Sequence, residues 1–477
     1  MNKHLIIISS GRLSQMLIMF LTYRVLSTVL SVPDMGVYYF LLSLSSAFGL
    51  IYANPIGMYA NRMLHAWKEN GVLLNNLKKI ILAFLIGSLL TIPFLFIFKQ
   101  KIFIAEGQWT LIVGTLVFYV FSTSLNGTMV PSLNLLGFTH HFVVWTLFTN
   151  LMGLLFSYLL VTFISPLPLY WLVGQGISFT IFGFIAFIIL HRKINENIKI
   201  KKDNTNLQLE RVARFALPIV ITNLAVWVLA QSFRFFYKEN VDPTILGELA
   251  FGLGLATSLS VAIEYLFQQL YLPEFYAKIN NPLEDNGAVW NNLLNKLLPS
   301  YIYLSFFLVG LSPFLIRVLA DVKFKNSGYY LALGAFVEFF RMIGNTFTMA
   351  TQSEMKTHKA IGPYLSGGVI TLVGVLYIAY HPEFIKLTPY CLMAGYFTAF
   401  IYLAINVRKM IAVNLNMSLI VKCLFSSLIF LVALLLSPFS DSLFFSIGIN
   451  FLFGLIFLFF LYKSYLLQKK TNKEPIL

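Results

Sequence analysis

The chain has 477 residues, 58% of them hydrophobic and only 11% charged, with a formal net charge of +15. A soluble domain is about 25% charged, so this chain cannot cover itself with polar surface in water, and its basic excess reads as a membrane-orientation signal rather than a nucleic-acid footprint. Its two cysteines, Cys391 and Cys423, both lie in apolar stretches; they make no disulfide framework and show no metal-ligand spacing.

A spanning helix needs about 20 mostly apolar residues. The chain offers 14 such segments, near 5–31, 35–60, 78–98, 108–134, 142–165, 167–190, 213–236, 244–272, 298–319, 328–351, 360–380, 388–407, 418–437 and 443–466. The first follows Met1-Asn2-Lys3-His4 directly, contains Arg12 and Arg24, and has no small-residue cleavage site. It therefore reads as a retained helix rather than a signal peptide. In helix one Arg12, Gln15 and Tyr23 share a face, and Arg24 points about 120° away from Arg12. Arg12 lies close enough to the helix start to snorkel toward water. Asn54-Pro55 with Gly57, Pro131 and Pro218 mark kinks in helices two, four and seven. Asn126-Gly127-Thr128 matches a glycosylation sequon but falls within helix four. The most polar connection, 191–212, separates helix six from helix seven; the other sizeable one, 273–297, has room for a short interfacial helix.

The sequence repeats itself. Arg24, Pro33 and Gly36 recur as Arg234, Pro243 and Gly247, and Asn126 with Thr139-His140 recurs as Asn345 with Thr357-His358. Six helices per half put the pseudo-two-fold axis along the membrane normal. The expectation is an all-α polytopic membrane protein of about 14 helices. It comprises a six-helix lobe over 1–191, a cytoplasmic linker over 192–212, a second six-helix lobe over 213–408, and an accessory helix pair with a tail over 409–477.

Of the 34 basic residues, 23 fall on one side of this arrangement, among them Arg62, Lys78, Lys199, Lys201, Lys202, Arg211, Lys296, Arg408 and the tail lysines. Only seven fall on the other: Lys99, Lys101, Lys238, Arg317, Lys323, Lys325 and Lys386. The rich side is cytoplasmic by the positive-inside rule, with both termini inside. The remaining four, Arg12, Arg24, Arg234 and Arg341, lie within helices.

Ionisable groups at membrane depth mark a cavity or a partner. In helix ten, Glu338, Arg341, Asn345, Thr348 and Gln352 are spaced to share one face. They line a cavity or, alternatively, neutralise each other and hold helices together. The matching face of helix four has Tyr119, Ser122 and Asn126, polar but uncharged. Glu264 in helix eight has no partner in its own sequence neighbourhood. It is a candidate for ion coupling, or equally a partner for Arg24 or Arg234. Guanidinium suits a phosphate because its planar fork donates two hydrogen bonds and stays charged. No Gly-Lys dipeptide, His-Glu-x-x-His or Asp-x-Asp occurs. A built-in ATPase is thereby excluded, and no cofactor or metal is expected. A proton or sodium gradient, the membrane potential or the substrate gradient must supply the energy.

Several motifs carry a resemblance. They are Gly11-Arg12, Tyr23-Arg24-Val25-Leu26-Ser27, Asp34-Met35-Gly36-Val37-Tyr38, Gly57 with Asn61-Arg62, Ala213-Arg214-Phe215-Ala216-Leu217-Pro218, and Leu272-Pro273 with Phe275. Through them the chain resembles the Wzx-type polysaccharide flippases of the multidrug/oligosaccharidyl-lipid/polysaccharide exporter superfamily. The resemblance implies a non-enzymatic, alternating-access carrier in the bacterial cytoplasmic membrane. Its substrate would be an undecaprenyl-diphosphate-linked oligosaccharide, moved between leaflets for O-antigen, lipopolysaccharide or capsule synthesis. A polysaccharide polymerase and a chain-length regulator are candidate partners. Arg24 matches the first-helix arginine of the family's cationic cavity, and Arg234 is its repeat mate. The expected substrate ligands are Arg24, Arg234, Arg341, Arg12 and Asn345, with Glu264 and Glu338 for ion coupling. Two rivals stand beside this reading: a drug or cation exporter of the same superfamily, and a membrane polymerase or ligase of lipid-linked glycan. No outer loop exceeds about a dozen residues, which leaves little room for the catalytic loop that the polymerase needs.

Overall fold

Long apolar runs without water must satisfy every backbone group internally, and helices do this within one segment. A computed structural model describes residues 3–97, 109–194, 209–237, 241–279, 284–354 and 356–471. Lys99, Lys101, Lys199, Lys201, Lys202, Lys238 and Lys473, counted above for topology, lie outside them, as does most of the 191–212 connection. The helices are α1 (Lys3–Val29), α2 (Val32–Phe48), α3 (Asn54–Glu69), α4 (Leu73–Leu89), α5 (Thr91–Ile97), α6 (Trp109–Leu135), α7 (Thr139–Phe163), α8 (Pro168–Ile194) and α9 (Leu209–Phe236). Then come α10 (Pro243–Ile279), α11 (Asn286–Leu319), α12 (Ser327–Ser353), α13 (Ile361–Tyr380), α14 (Thr388–Arg408), α15 (Met417–Ser427), α16 (Val432–Leu436) and α17 (Leu443–Thr471).

The protein is an all-helical polytopic membrane protein. Among the described residues 12 helical segments are long and apolar enough to cross a membrane. The other two expected spans, α1 and α12, are helices of 27 residues each but fall outside that set. α12 carries Glu338, Arg341 and Asn345, whose polarity lowers its mean hydropathy.

The chain forms two compact units, Met1–Trp227 and Val228–Leu477. Their division falls inside α9, for a local reason. A five-residue π-helix, Gly49–Ala53, joins α2 to α3, and the Asn54 N–H bonds back to the Gly49 carbonyl. In that register the next donor is Pro55, which has no N–H. The Leu50 carbonyl instead accepts from Asn223 Nδ2 of α9 at 3.0 Å. One turn on, Trp227 Nε1 donates to the Ser43 carbonyl at 2.8 Å. These two bonds hold the first part of α9 to the first unit. That unit packs α6, α7 and α8 on one another, α1 on α7, and α3 and α4 on α6. Trp67, Leu64, Phe84 and Met129 fill its core.

In the second unit α12 is central, flanked by α10, α11 and α14. A Cβ on Gly367 of α13 would come within 2.5 Å of the Gly395 carbonyl of α14, so this crossing depends on small residues. The 273–297 connection is not a separate interfacial helix. Both flanking helices extend into it, and α11 begins at Asn286 because Asp285 caps it, accepting from the Gly287 and Ala288 N–H groups. Its first turns bury Trp290, Leu293, Leu294 and Leu297. Glu274 of α10 bridges to Lys278 at 2.9 Å and to Lys296 of α11 at 3.0 Å. Burial raises the affinity of that carboxyl for its proton, but the two lysine hydrogen bonds outweigh it and hold the group below its ordinary range.

The accessory helices α15–α17 lie against α11, fastened at both ends. At one end Asn291 and Asn295 hold an extended strand. Asn291 Nδ2 donates to the Ala412 carbonyl, and Asn291 Oδ1 accepts from the Asn414 N–H, both at 2.8 Å. Asn295 Nδ2 donates to the Asn414 carbonyl, and Asn295 Oδ1 accepts from the Asn416 N–H, both at 2.9 Å. Four helical residues rise about 6 Å and two extended residues nearly 7 Å, so amides at i and i+4 match alternate peptides. At the other end Arg317 binds the Ser437 and Ser440 carbonyls and pairs with Asp441 at 2.5 Å, which Lys325 also contacts at 3.0 Å. Between them Gly310 lets α11 approach the Phe430 carbonyl.

Two outcomes test these ties. Replacing Asn223 with Leu costs about 1–3 kcal/mol by stranding the Leu50 carbonyl. In a Pro55→Ala background, where the helix regains a donor, the same change costs measurably less; thermal unfolding of the four variants gives the coupling. The Lys325 hydrogen bond, then the charges of Arg317 and Lys325, lower the Asp441 pKa from 3.8. A lowered carboxylate stabilises above its unfolded value and stops doing so as pH falls through the folded one. Protease sensitivity of the 437–442 turn is therefore flat at neutral pH and rises only below about pH 4, and Asp441→Asn abolishes that acid step.

Candidate functional site

In α12, Glu338 and Arg341 are one turn apart, and Arg341 Nε donates to Glu338 Oε2 at 2.5 Å. The same guanidinium reaches α10, where its Nη2 meets Glu264 Oε2 at 2.9 Å. Asn345 Nδ2, one turn further along α12, donates to Glu264 Oε1 at 3.1 Å. Gln268 Nε2 donates to the same oxygen at 3.2 Å. Thr257 Oγ1 of α10 lies 2.7 Å from Glu338 Oε1. Both carboxylates are buried, with side chains 4% and 6% exposed against 16% for Arg341. Further along α12, Thr348 bonds the Tyr364 hydroxyl at 3.0 Å, while Gln352 is exposed.

The polar stripe of α12 is thus a Glu–Arg–Glu cluster spanning two helices of one unit. Glu264, unpartnered by sequence, pairs with Arg341, Asn345 and Gln268. Its partner is neither of the two arginines considered above, because helix packing brings α10 onto α12. Sequence reasoning missed Thr257, although Thr257, Glu264 and Gln268 are seven and four residues apart and so share a face.

The expected anion ligands divide between the units. In the first, Arg12 Nη1 donates to Gln15 Oε1 at 2.7 Å, with the guanidinium 5.9 Å from the Phe142 ring. Arg24 is half-buried. In the second, Arg234 is buried and donates to Gln231, one turn before it in α9. The stripe of α6 is uncharged, as expected: Tyr119 bonds Gln175 at 3.2 Å, Ser122 bonds Thr180 at 2.8 Å, and Asn126 bonds the Phe179 carbonyl at 3.3 Å. A polar cavity of about 690 Å³ also opens in the second unit, lined by Asp285, Asn292, Lys296, Glu354 and Asn416. It lies beside the Asn291–Asn295 ladder rather than at the ion cluster, and is formed by the first turns of α11 and the strand that leads into α15.

Among the described residues no group of His, Cys, Asp and Glu could hold a metal. The chemistry on offer is charge balance, proton or cation exchange, and anion binding by guanidinium.

No protein-family model matches the chain, and no curated protein matches it. Solved structures do. One described as lipid II flippase MurJ in an inward closed conformation superposes with a TM-score of 0.68 at 15% identity, over 98% of this chain and 99% of that one. An outward-facing multidrug resistance MATE family transporter of the MOP superfamily gives 0.58 at 13% identity, over 85% and 95%. The eukaryotic MATE transporter AtDTX14 gives 0.57 at 10% identity, over 89% and 98%. The chain therefore has the fold of the MOP-superfamily transporters; these structures are transporters, not enzymes.

Replacing Arg341 with Met leaves two buried carboxylates facing each other. Breaking a buried ion pair from one side costs about 3–5 kcal/mol, read as a lowered Tm of the purified protein. Adding Glu264→Gln to Arg341→Met recovers part of that loss. An equal or greater loss in the double variant would dissolve the pairing.

Proposed function

We propose that this protein is a secondary transporter that flips an undecaprenyl-diphosphate-linked oligosaccharide repeat unit across a bacterial cytoplasmic membrane, from the inner to the outer leaflet. The carrying observation is how charge is distributed at membrane depth. Within the helices four arginines, Arg12, Arg24, Arg234 and Arg341, stand against two mid-helix carboxylates, Glu264 and Glu338, and both carboxylates engage Arg341. A cationic interior suits a diphosphate. The fold shared with a lipid II flippase supports a lipid-linked substrate.

In this reading Arg24 and Arg234 are the ligands of the diphosphate, with Arg12 assisting. Arg341 and Asn345 serve the substrate indirectly, through the carboxylates they hold. Glu264 and Glu338 couple transport to a proton or sodium gradient. Two six-helix lobes with an accessory pair span the membrane as 14 helices, both termini facing the cytoplasm. The polysaccharide polymerase and chain-length regulator act downstream as partners.

A drug or cation exporter has the same fold but would offer carboxylates, not guanidinium groups, to its substrate. Deleting the gene and assaying lipid-linked oligosaccharide by leaflet separates the readings. Complete units accumulating on the cytoplasmic face, with surface polymer lost, support the flippase. Single units on the outer face would point to a polymerase, and unchanged glycan with increased drug sensitivity to an exporter. Arg24→Ala and Arg234→Ala each weaken substrate binding about ten- to a hundredfold, the worth of one charged hydrogen bond, and abolish transport at unchanged protein level. Normal transport by both variants would end the anion-binding claim.

A further inference from the structure

The polar cavity of about 690 Å³ in the second unit takes no part in the transport scheme above, and its place along α11 bears on its use. That helix has 34 residues, about 50 Å at 1.5 Å each, against about 30 Å of hydrocarbon. Its apolar stretch is the later part, near 298–319, so the earlier turns stand roughly 18 Å clear of the hydrocarbon. The cavity follows those turns. Asp285 and Lys296 line it from the start of α11, Glu354 from the end of α12, and Asn414 with Asn416 from the strand that leads into the apolar span Met417–Phe439. It is a groove that starts where a helix leaves lipid and climbs away from it.

Its walls offer both donors and acceptors. Asn291 and Asn295 commit their amides to the peptides of the strand, which holds that wall in place. Among the described residues the Glu354 carboxylate and the Asn414 side-chain amide have no hydrogen-bond partner. At Asn416 the side-chain oxygen accepts from the Leu419 N–H at 3.1 Å, which leaves its NH2 group. Asp285 accepts one backbone N–H on each oxygen, at 3.1 and 3.0 Å, and keeps a lone pair on both.

This set selects against most ligands. An anion meets two carboxylates, and the cation beside them, Lys296, is paired with Glu274 at 3.0 Å. A metal ion finds no group of three His, Cys, Asp or Glu among the described residues. An amine only donates and leaves the Asn414 and Asn416 N–H groups unmatched. An apolar ligand strands every polar group it covers. A hydroxyl both donates and accepts, so a chain of hydroxyls satisfies carboxylates and amides together.

We propose that the groove is a docking site for the glycan of a lipid-linked substrate, whose lipid stays in the bilayer at the foot of the groove. Sugar hydroxyls donate to Glu354 and Asp285 and accept from Asn414 and Asn416. A glycan anchored in lipid stands up from the membrane surface, which is the direction in which the groove runs. The identity of the lipid carrier rests on the function proposed above; the affinity for sugar does not.

Three probes test this against the full-length protein in lipid vesicles. They are the complete lipid-linked oligosaccharide of cells that carry this gene, the oligosaccharide released from it by mild acid, and undecaprenyl diphosphate without sugar. The released oligosaccharide binds the wild type. Glu354→Ala lowers that affinity about tenfold or more and Asn414→Ala about two- to tenfold, the worth of one charged and one neutral hydrogen bond. Both variants keep the wild-type Tm and the wild-type affinity for undecaprenyl diphosphate. The complete unit binds more tightly than either part, because anchoring raises the effective concentration of the glycan. No binding of the oligosaccharide, or an affinity unchanged in both variants, would overturn the docking site. Displacement of the oligosaccharide by inorganic phosphate would make the groove an anion site, and a complete unit no tighter than the released one would make it a site for free sugar. Undecaprenyl diphosphate left unbound while the groove binds sugar as stated would count against the flippase reading alone.

Discussion

Charge in hydrocarbon has to be matched locally, because no water arrives to solvate the remainder. In the second unit this constraint selects the geometry of the central helix. Arg341 reaches along its own helix to Glu338 and across to Glu264, so α10 and α12 are held at the depth where all three groups meet. A buried ion pair is weak evidence for stability, since its desolvation offsets much of its attraction. What it fixes well is register: one turn of slippage between the helices would part Glu264 from the guanidinium and leave both charged. The first unit packs its equivalent stripe without any charge, through hydroxyl and amide contacts of α6 with α8. The two halves of the repeat thus use the same helix face for different physics.

Much of this could be read in the chain. Hydropathy locates nearly every long helix, and the spacing of Glu338, Arg341 and Asn345 gives a shared face, because both signals are local and periodic. The ends were harder to read. The first turns of α11 carry Asn291, Asn292, Asn295 and Lys296, too polar for a hydropathy window, yet they are helical because Asp285 caps them and Trp290 with its neighbours buries the other face. The partner of Glu264 was also out of reach. It is fixed by which helices pack together, and only three-dimensional contact identifies Arg341 rather than Arg24 or Arg234.

The π-helix at Gly49–Ala53 belongs to the same class of non-local effect. Pro55 announces a disturbance in sequence, but the repair comes from Asn223, 173 residues from the Leu50 carbonyl it bonds. Such segments recur at functional sites because a helix with one bond supplied from outside can bend where an intact one cannot. Here the outside donor is carried by α9, the helix whose far end carries Arg234.

The asparagine ladder leaves a particular mark on how this protein can change over generations. Asn291 and Asn295 hold the segment Ala412–Asn416 through its peptide groups, and these four bonds are indifferent to which side chains those peptides carry. Residues such as Val413 can drift freely in identity, provided that proline does not take position 414 or 416, where an N–H is required. The two asparagines have no such latitude, since apart from the longer glutamine no other side chain carries an amide, with a carbonyl acceptor and an NH2 donor side by side. The fastening of the accessory helices is therefore written almost entirely in α11, and the strand it grips is nearly silent.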